Sequence, residues 1–397
     1  MLSLAGSAAW ASAPAPRAAA APASAAPAIP APSGGSLDLG VHQIGLSFGN
    51  SPRWSGLRFN FADSGVQSVN GLNVTLWKAD GEENADSVYR GLSLGGVGPV
   101  GGTFRGLTVG FAPVAAHELT GINLGVLAEV SGGGVRGLNF AGLGLVGSGP
   151  VQGVSLAGLA LVGSGAVQGL AVGGLAVVAE GPVQGLALGG LGLVASGGVQ
   201  GIAVGGLGLV AEKGLSGIGV GGLAVVANGP LWGGAVSGLA TVAGKDVHGL
   251  TAAGLSTVAG GRLTGVSVAG LAVVGQGLRG LAVGGLAAVE SGRVQGAVIG
   301  GLGSVVDGEL EGLAVALGHV RVKRIRGLAV AGWVRTEALD GVSVGAFNDV
   351  RGVQRGLAIG LVNSAQVLNG VQIGLVNHAG NNPPAVRWTP LLNAHFG

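Results

Sequence analysis

One 16-residue sentence is repeated, with small edits, from residue 135 to residue 309. Three successive copies read VQGLAVGGLAVVAEGP (167–182), VQGLALGGLGLVASGG (183–198) and VQGIAVGGLGLVAEKG (199–214). The repeat makes columns: Gly at 137, 153, 169 and onward to 265, Leu at 143, 159, 175 and onward to 271, and Val at 146, 162, 178 and onward to 274, each every 16 residues. The residue after each column Leu is small. The second residue of the unit is the one that varies among polar types, with Gln at 152, 168, 184 and 200. A short fixed period of this kind means stacked coils that share one core.

The period inside the unit selects strands. Apolar residues recur at spacing two, as in Leu170-Ala171-Val172, which is the strand period and not that of a helix. With 86 glycines in the chain, a helix would lose about 1 kcal/mol at every interior Gly relative to Ala. The Gly-Gly pairs and the Glu-Gly-Pro, Ser-Gly-Gly and Asn-Gly-Pro triplets are turn signals. The expected fold is therefore all-β: a single elongated β-solenoid of about 15–16-residue coils with two short strands per coil. Like residues should lie over like residues about 4.8 Å apart. The Gly column should mark a backbone position that needs positive φ. Leu170 and Val172 are expected to point inward, and Val178 to belong to a buried column. That would leave Ala171, Ala176, Ala187 and Ala203 facing solvent as a smooth apolar face, and such a face implies contact with something.

Segments differ in kind. Residues 1–36 hold an apolar stretch closing on Ala11-Ser12-Ala13, which is signal-peptide-like, and then an Ala/Pro-rich linker. Residues 37–134 carry the repeat in degenerate, aromatic-rich form and are expected to include an N-terminal cap. Within them, 78–87 is a polar run that reads as a surface loop. Regular repeats fill 135–309, looser coils 310–380, and a C-terminal cap or tail 381–397, whose Pro383-Pro384 cannot donate to a strand ladder.

The tail also carries a resemblance. GLAIGLVNSAQVLNGVQIGLVNHAGNNPPAVRWTPLLNAHF (356–396) resembles the ending of bacterial proteins known as surface repeat-containing proteins. Those have Gly-aliphatic-x-aliphatic-Gly-Leu repeats and an Asn-Pro-Pro…Arg-Trp…His-Phe ending. The match is specific at 356–396 and generic through the other repeats. The middle of the chain departs from the pattern, with Val or Ala where the family has Asn. The resemblance implies a cell-surface or envelope location and no enzymatic activity, so it supplies no site residues.

Most functional motifs fall away. Gly217-Ile218-Gly219-Val220-Gly221-Gly222 fits a dinucleotide fingerprint, but it lacks a strand–helix context and a following acid. Lys245 is not followed by Ser or Thr, as a phosphate loop requires. The six histidines are scattered, and there is no cysteine. The net charge is +2, with no basic field interleaved with aromatics, which argues against nucleic acid as a partner. No catalytic residue, cofactor, metal site or small-molecule substrate is implied. One charged stretch stands out: Arg321, Lys323, Arg324 and Arg326 between Val320 and Ile325, a candidate contact for an anionic surface. The partners this admits are a second copy, a membrane surface or envelope polysaccharide. The expected function is a noncatalytic cell-surface or envelope scaffold, adhesive or self-associating. The alternative is an outer-membrane β-barrel or membrane-bound β-meander, in which each unit is a hairpin.

Overall fold

The structure is a computed structural model and describes residues 35–397. The signal-like stretch and nearly all of the linker lie outside them. The chain is a β-solenoid of about 19 turns with coils of about 16 residues. At about 4.8 Å per coil the rod is on the order of 90 Å long.

Each regular coil contributes a seven-residue strand and a four-residue strand, for example Val167–Gly173 and Ala176–Ala179. Each strand pairs in parallel with its counterpart one coil away. Val167 lies opposite Val183 and Gln168 opposite Gln184, while Val178 lies opposite Val194. The alternative in which the unit is a hairpin does not hold, because these pairings are parallel. Antiparallel pairing occurs at the two ends. Ser36–Val41 pairs with Ile44–Gly49, and Trp388–His395 folds back on Gly370–His378.

The chain turns three times per coil. The first turn is inside the longer strand, at Gly169 and Gly185, where φ is 101° and 113°. A Cβ at Gly185 would lie 2.4 Å from the carbonyl oxygen of Gly169 below it, so only Gly fits the column. The second turn is Gly174-Leu175. The third is Glu180-Gly181-Pro182.

The interior is the reverse of the expected one. Val167, Ala171, Val177 and Ala179 are buried, while Leu170, Val172 and Val178 point outward and Leu175 is 45% exposed. Ala187 and Ala203, expected in solvent, are fully buried, and Ala176 is half-buried. Both parities of these strands are apolar, so hydrophobicity alone does not choose between them. Width does. A coil with three turns in 16 residues encloses a narrow section, which the middle coils fill at close packing with Ala or Gly beside Val or Leu.

Toward the ends the same inward columns become polar. The column of Ala171 continues toward the N-terminus as Ser155, Asn139, Asn123, Thr108, Ser93, Asn73, Arg58 and Ser47, all buried. Asn123 donates to Asn139 at 2.7 Å and Asn139 to Ser155 at 3.1 Å. The 78–87 segment is a turn, as expected, but a tethered one. Asn84 in it is buried, accepts from the Val66 amide at 2.8 Å and donates to the Asp63 carbonyl at 2.8 Å.

Candidate functional site

Three outward columns on one side of the rod are apolar, and together they form the main surface feature. On the first, Leu46, Leu57, Leu72 and Leu92 lead through Leu138, Leu170, Leu186, Ile202 and Ile218 to Leu328, Val342 and Leu357. Two residues on, Phe48 and Phe59 lead through Phe140, Leu156, Val172, Leu188 and Val204 to Val344 and Ile359. The third column is the ridge at the second turn: Leu143, Leu159, Leu175, Leu191, Leu207 and onward to Leu302, exposed by 42–63%. No charged side chain interrupts these columns between Gly137 and Leu302. Beyond the ridge, the opposite flank is a valine column from Val100 through Val146, Val178 and Val194 to Val305.

The ridge leaves no backbone amide to seek water. The Gly174 amide donates to the Ala157 carbonyl at 3.0 Å, and the Leu175 and Ala176 amides share the Leu159 carbonyl at 2.7 and 3.0 Å. The same pattern recurs coil after coil. A Cβ at Gly174 would lie 1.8 Å from the Gly158 carbonyl oxygen, which explains why the first residue of this turn is Gly through the middle of the rod. Covering the exposed half of one ridge leucine is worth about 1 kcal/mol, and the ridge has many of them in line. A contiguous apolar surface larger than a few hundred Å² marks a contact site.

The four predicted basic residues do not form one stripe. Val322 and Ile325 are both buried, so the chain turns between them, at Lys323-Arg324. Arg324 and Arg326 go to the polar edge, where they meet Glu309 at 3.4 Å each, and Arg326 also meets Glu311 at 3.3 Å. Arg293 reaches Glu309 at 2.6 Å from the other side. That edge is an ionic ladder, and it extends the outward glutamine ladder of Gln152, Gln168, Gln184 and Gln200, linked at 3.0–3.3 Å. Sequence reasoning saw this Gln column but did not read it as a hydrogen-bonded ladder. Its period of 16 was the signal.

Arg321 goes the other way. It stands directly in line with Val305, so the valine flank ends in a cation, and Arg335 follows it in the next coil. Arg335 is paired with Asp349 at 3.1 Å and lies 4.6 Å from the ring centre of Trp333. Arg351 also meets Asp349, at 3.4 Å. Arg321, Lys323, Arg335 and Arg351 line one open cleft together with Asp307 and Glu337. Neither Arg321 nor Lys323 has a carboxylate partner among the described residues. The surplus positive charge is felt at His319, which burial and then the Arg335 and Arg321 charges hold below its ordinary value.

Two carboxylates are buried inside the rod. Glu129 Oε1 accepts from the Gly125 and Phe140 amides at 3.2 Å each, and burial still pushes its pKa up to about 8. Glu290 Oε2 accepts from the Gly277 amide at 3.1 Å, and burial pushes its pKa up to about 7. They lie in different coils, and neither opens on a cleft. Among the described residues no group of three or more His, Cys, Asp or Glu could hold a metal ion. No helix among them is long and apolar enough to cross a membrane, which says nothing of a β-barrel.

No family model, curated protein or solved structure matches the chain.

Proposed function

We propose that this protein is a noncatalytic scaffold rod of the bacterial cell envelope, and that its apolar side is what fastens it there. The observation that supports the reading is the continuous apolar side itself. A free rod in water would expose leucine at every coil for most of its length. Polar side chains are gathered on the opposite edge, in glutamine and ionic ladders. The likeness of 356–396 to surface repeat-containing proteins points to the same location. Each coil repeats the last, so the surface suits contact along a length and offers no single point where reacting groups converge.

Fractionation of the source cells tests this. The protein should sediment with the envelope and leave it only with detergent. A pool in the soluble cytosolic fraction that needs no detergent would overturn the proposal.

A further inference from the structure

Resting on that reading, we infer that the apolar side is a lipid-binding face: the rod lies along an anionic bilayer, with the Leu175 ridge and its flanks in the acyl boundary and Arg321 and Lys323 at the headgroups.

Charge places the occupant. From Gly137 to Leu302 the ridge and its flanks hold no ionisable side chain, which suits acyl chains. Where the valine flank ends, the next outward residue in line is Arg321, followed by Arg335. With Lys323 and Arg351 in the same cleft, set against Asp307, Glu337 and the Asp349 that pairs with Arg335 and Arg351, the apolar side passes into a charged one. Arg321 and Lys323 are its cations without an ion-pair partner among the described residues. An interfacial element on anionic lipid needs that juxtaposition. On the polar edge Arg279 has no carboxylate partner among the described residues but is bonded to Gln295 in a row of polar side chains, and Arg324 and Arg326 share Glu309 and Glu311 with Arg293. They lie across the turn at Lys323-Arg324 and would face water.

The backbone places it too. Within hydrocarbon every amide and carbonyl must be satisfied internally. At the ridge the amides meet this condition although it is a turn, because each donates to the coil below, and the Leu175 carbonyl accepts from Leu191 and Gly192. The Gly174 carbonyl accepts no backbone bond among the described residues, which suits the acyl boundary and not the bilayer centre. Aromatic rings sit where the side approaches its ends: Phe61 stacks on Trp77 near one, and Trp333 and Phe347 lie near the other. Such rings favour the boundary between lipid and water.

A second copy is a poorer occupant. Two such ridges would meet equally well after a slip of one coil, about 4.8 Å, since leucine follows leucine. Nothing polar on the ridge sets a register. A fluid lipid surface needs none.

The test is flotation of the full chain with vesicles of zwitterionic lipid alone and of zwitterionic lipid mixed with a third anionic phospholipid. The chain should float with both, more strongly with the anionic mixture. The triple variant Leu175→Glu, Leu191→Glu, Leu207→Glu should lose at least ten-fold in partitioning while its melting curve is kept, because these side chains are half exposed. Gln168→Glu, Gln184→Glu, Gln200→Glu makes the same charge change on the polar edge and should float as the parent does. Arg321→Gln should reduce the preference for anionic vesicles by about five-fold, and Lys323→Gln likewise. Equal flotation of the ridge and edge variants would overturn the inference. So would a stable dimer or filament that binds neither vesicle and is dissociated by the ridge variant. That last result would leave the envelope scaffold standing, which falls only to a cytosolic, detergent-independent pool in the fractionation.

Discussion

The middle coils and the end coils solve one problem in opposite ways. From Ala171 to Ala235 a single inward column is Ala or Gly throughout, buried and silent, and each coil is interchangeable with its neighbours. In the first coils the same column holds Ser47, Arg58, Asn73, Ser93, Thr108, Asn123 and Asn139. At the far end the column of Val177 turns into Asn348, Asn363 and Asn377, joined at 2.7 and 2.8 Å. The difference follows from what a neighbour supplies. In the middle, a like coil above and below pairs the strand ladders and fills the small core, so nothing specific is needed. At an end one neighbour is missing. There a buried polar network fixes which residues meet, because an unpaired member is costly, and an antiparallel strand then closes the ladder.

The strongest way to break this comparison is to put a charge into the silent core. Val177 is fully buried between Leu161 and Leu193, with no donor near it. Val177→Asp should cost more than about 4 kcal/mol and leave no folded soluble protein. Its neighbour Val178 points outward, so Val178→Asp should change stability by less than about 1 kcal/mol. Expression and thermal melts of the two variants decide it, and equal behaviour would mean that the interior has been assigned to the wrong side.

Position 178 also shows how much was legible beforehand. The stacking, the register and the glycine column at Gly169 and Gly185 could all be read from the period of 16, because stacking like on like turns such a period into columns, although the period alone also admitted a hairpin unit. The inward side could not. Leu170-Ala171-Val172 is apolar at both parities, and the outcome depends on the width of the coil, which no single copy states. The basic stretch was misread for a related reason. Val322 and Ile325 are three apart, not two, and that spacing was the trace of a turn that sends Arg321 and Arg324 to different faces.

At the N-terminal end the effect should be next in size and local. Arg58 donates to Asp63 and to Asn73 at 2.7 Å each, and Thr75 and Tyr89 also donate to Asp63. Burial raises the Asp63 carboxyl, but the Arg58 charge and the hydrogen bonds from Thr75, Asn60 and Asn73 outweigh it and hold the group below the usual carboxylate value. Asp63→Ala strands a buried guanidinium and should cost about 3–5 kcal/mol. Hydrogen exchange should then speed up in the first coils while amides near Leu175 keep their protection. Uniform loss of protection along the rod would contradict the separation of end from middle.

Glu129 and Glu290 sharpen the comparison through pH. Their folded pKa values, about 8 and about 7, lie above the ordinary carboxylate value of 4.5. Each therefore favours folding in its protonated form. That contribution is complete below pH 4.5 and is lost as pH rises toward 7 for Glu290 and 8 for Glu129. At about 1.4 kcal/mol for each pH unit between the ordinary and the folded value, stability should fall over this range by several kcal/mol, about 8 at most for the two groups together. Glu129→Gln should flatten the upper part of the profile in chemical denaturation at a series of pH values. An unaltered slope would show that Glu129 is ionised at no cost.

The smallest effect concerns the outer ladder of the middle coils, where sameness itself provides the bond. Gln184 accepts from Gln168 at 3.0 Å and donates to Gln200 at 3.3 Å. These amides are half exposed or exposed, so water replaces a lost partner at little cost. Gln184→Ala should therefore lower stability by only about 0.5 kcal/mol, although it breaks two bonds. The buried counterpart, Asn363→Ala, also breaks ladder bonds, but it leaves Asn348 and Asn377 without that partner in a place water does not reach, and should cost about 2–3 kcal/mol. Denaturant melts of the two variants measure the ratio. If both ladders proved equally weak, burial would have no part in fixing the ends, and the asparagines would be mere filler where the alanines stop.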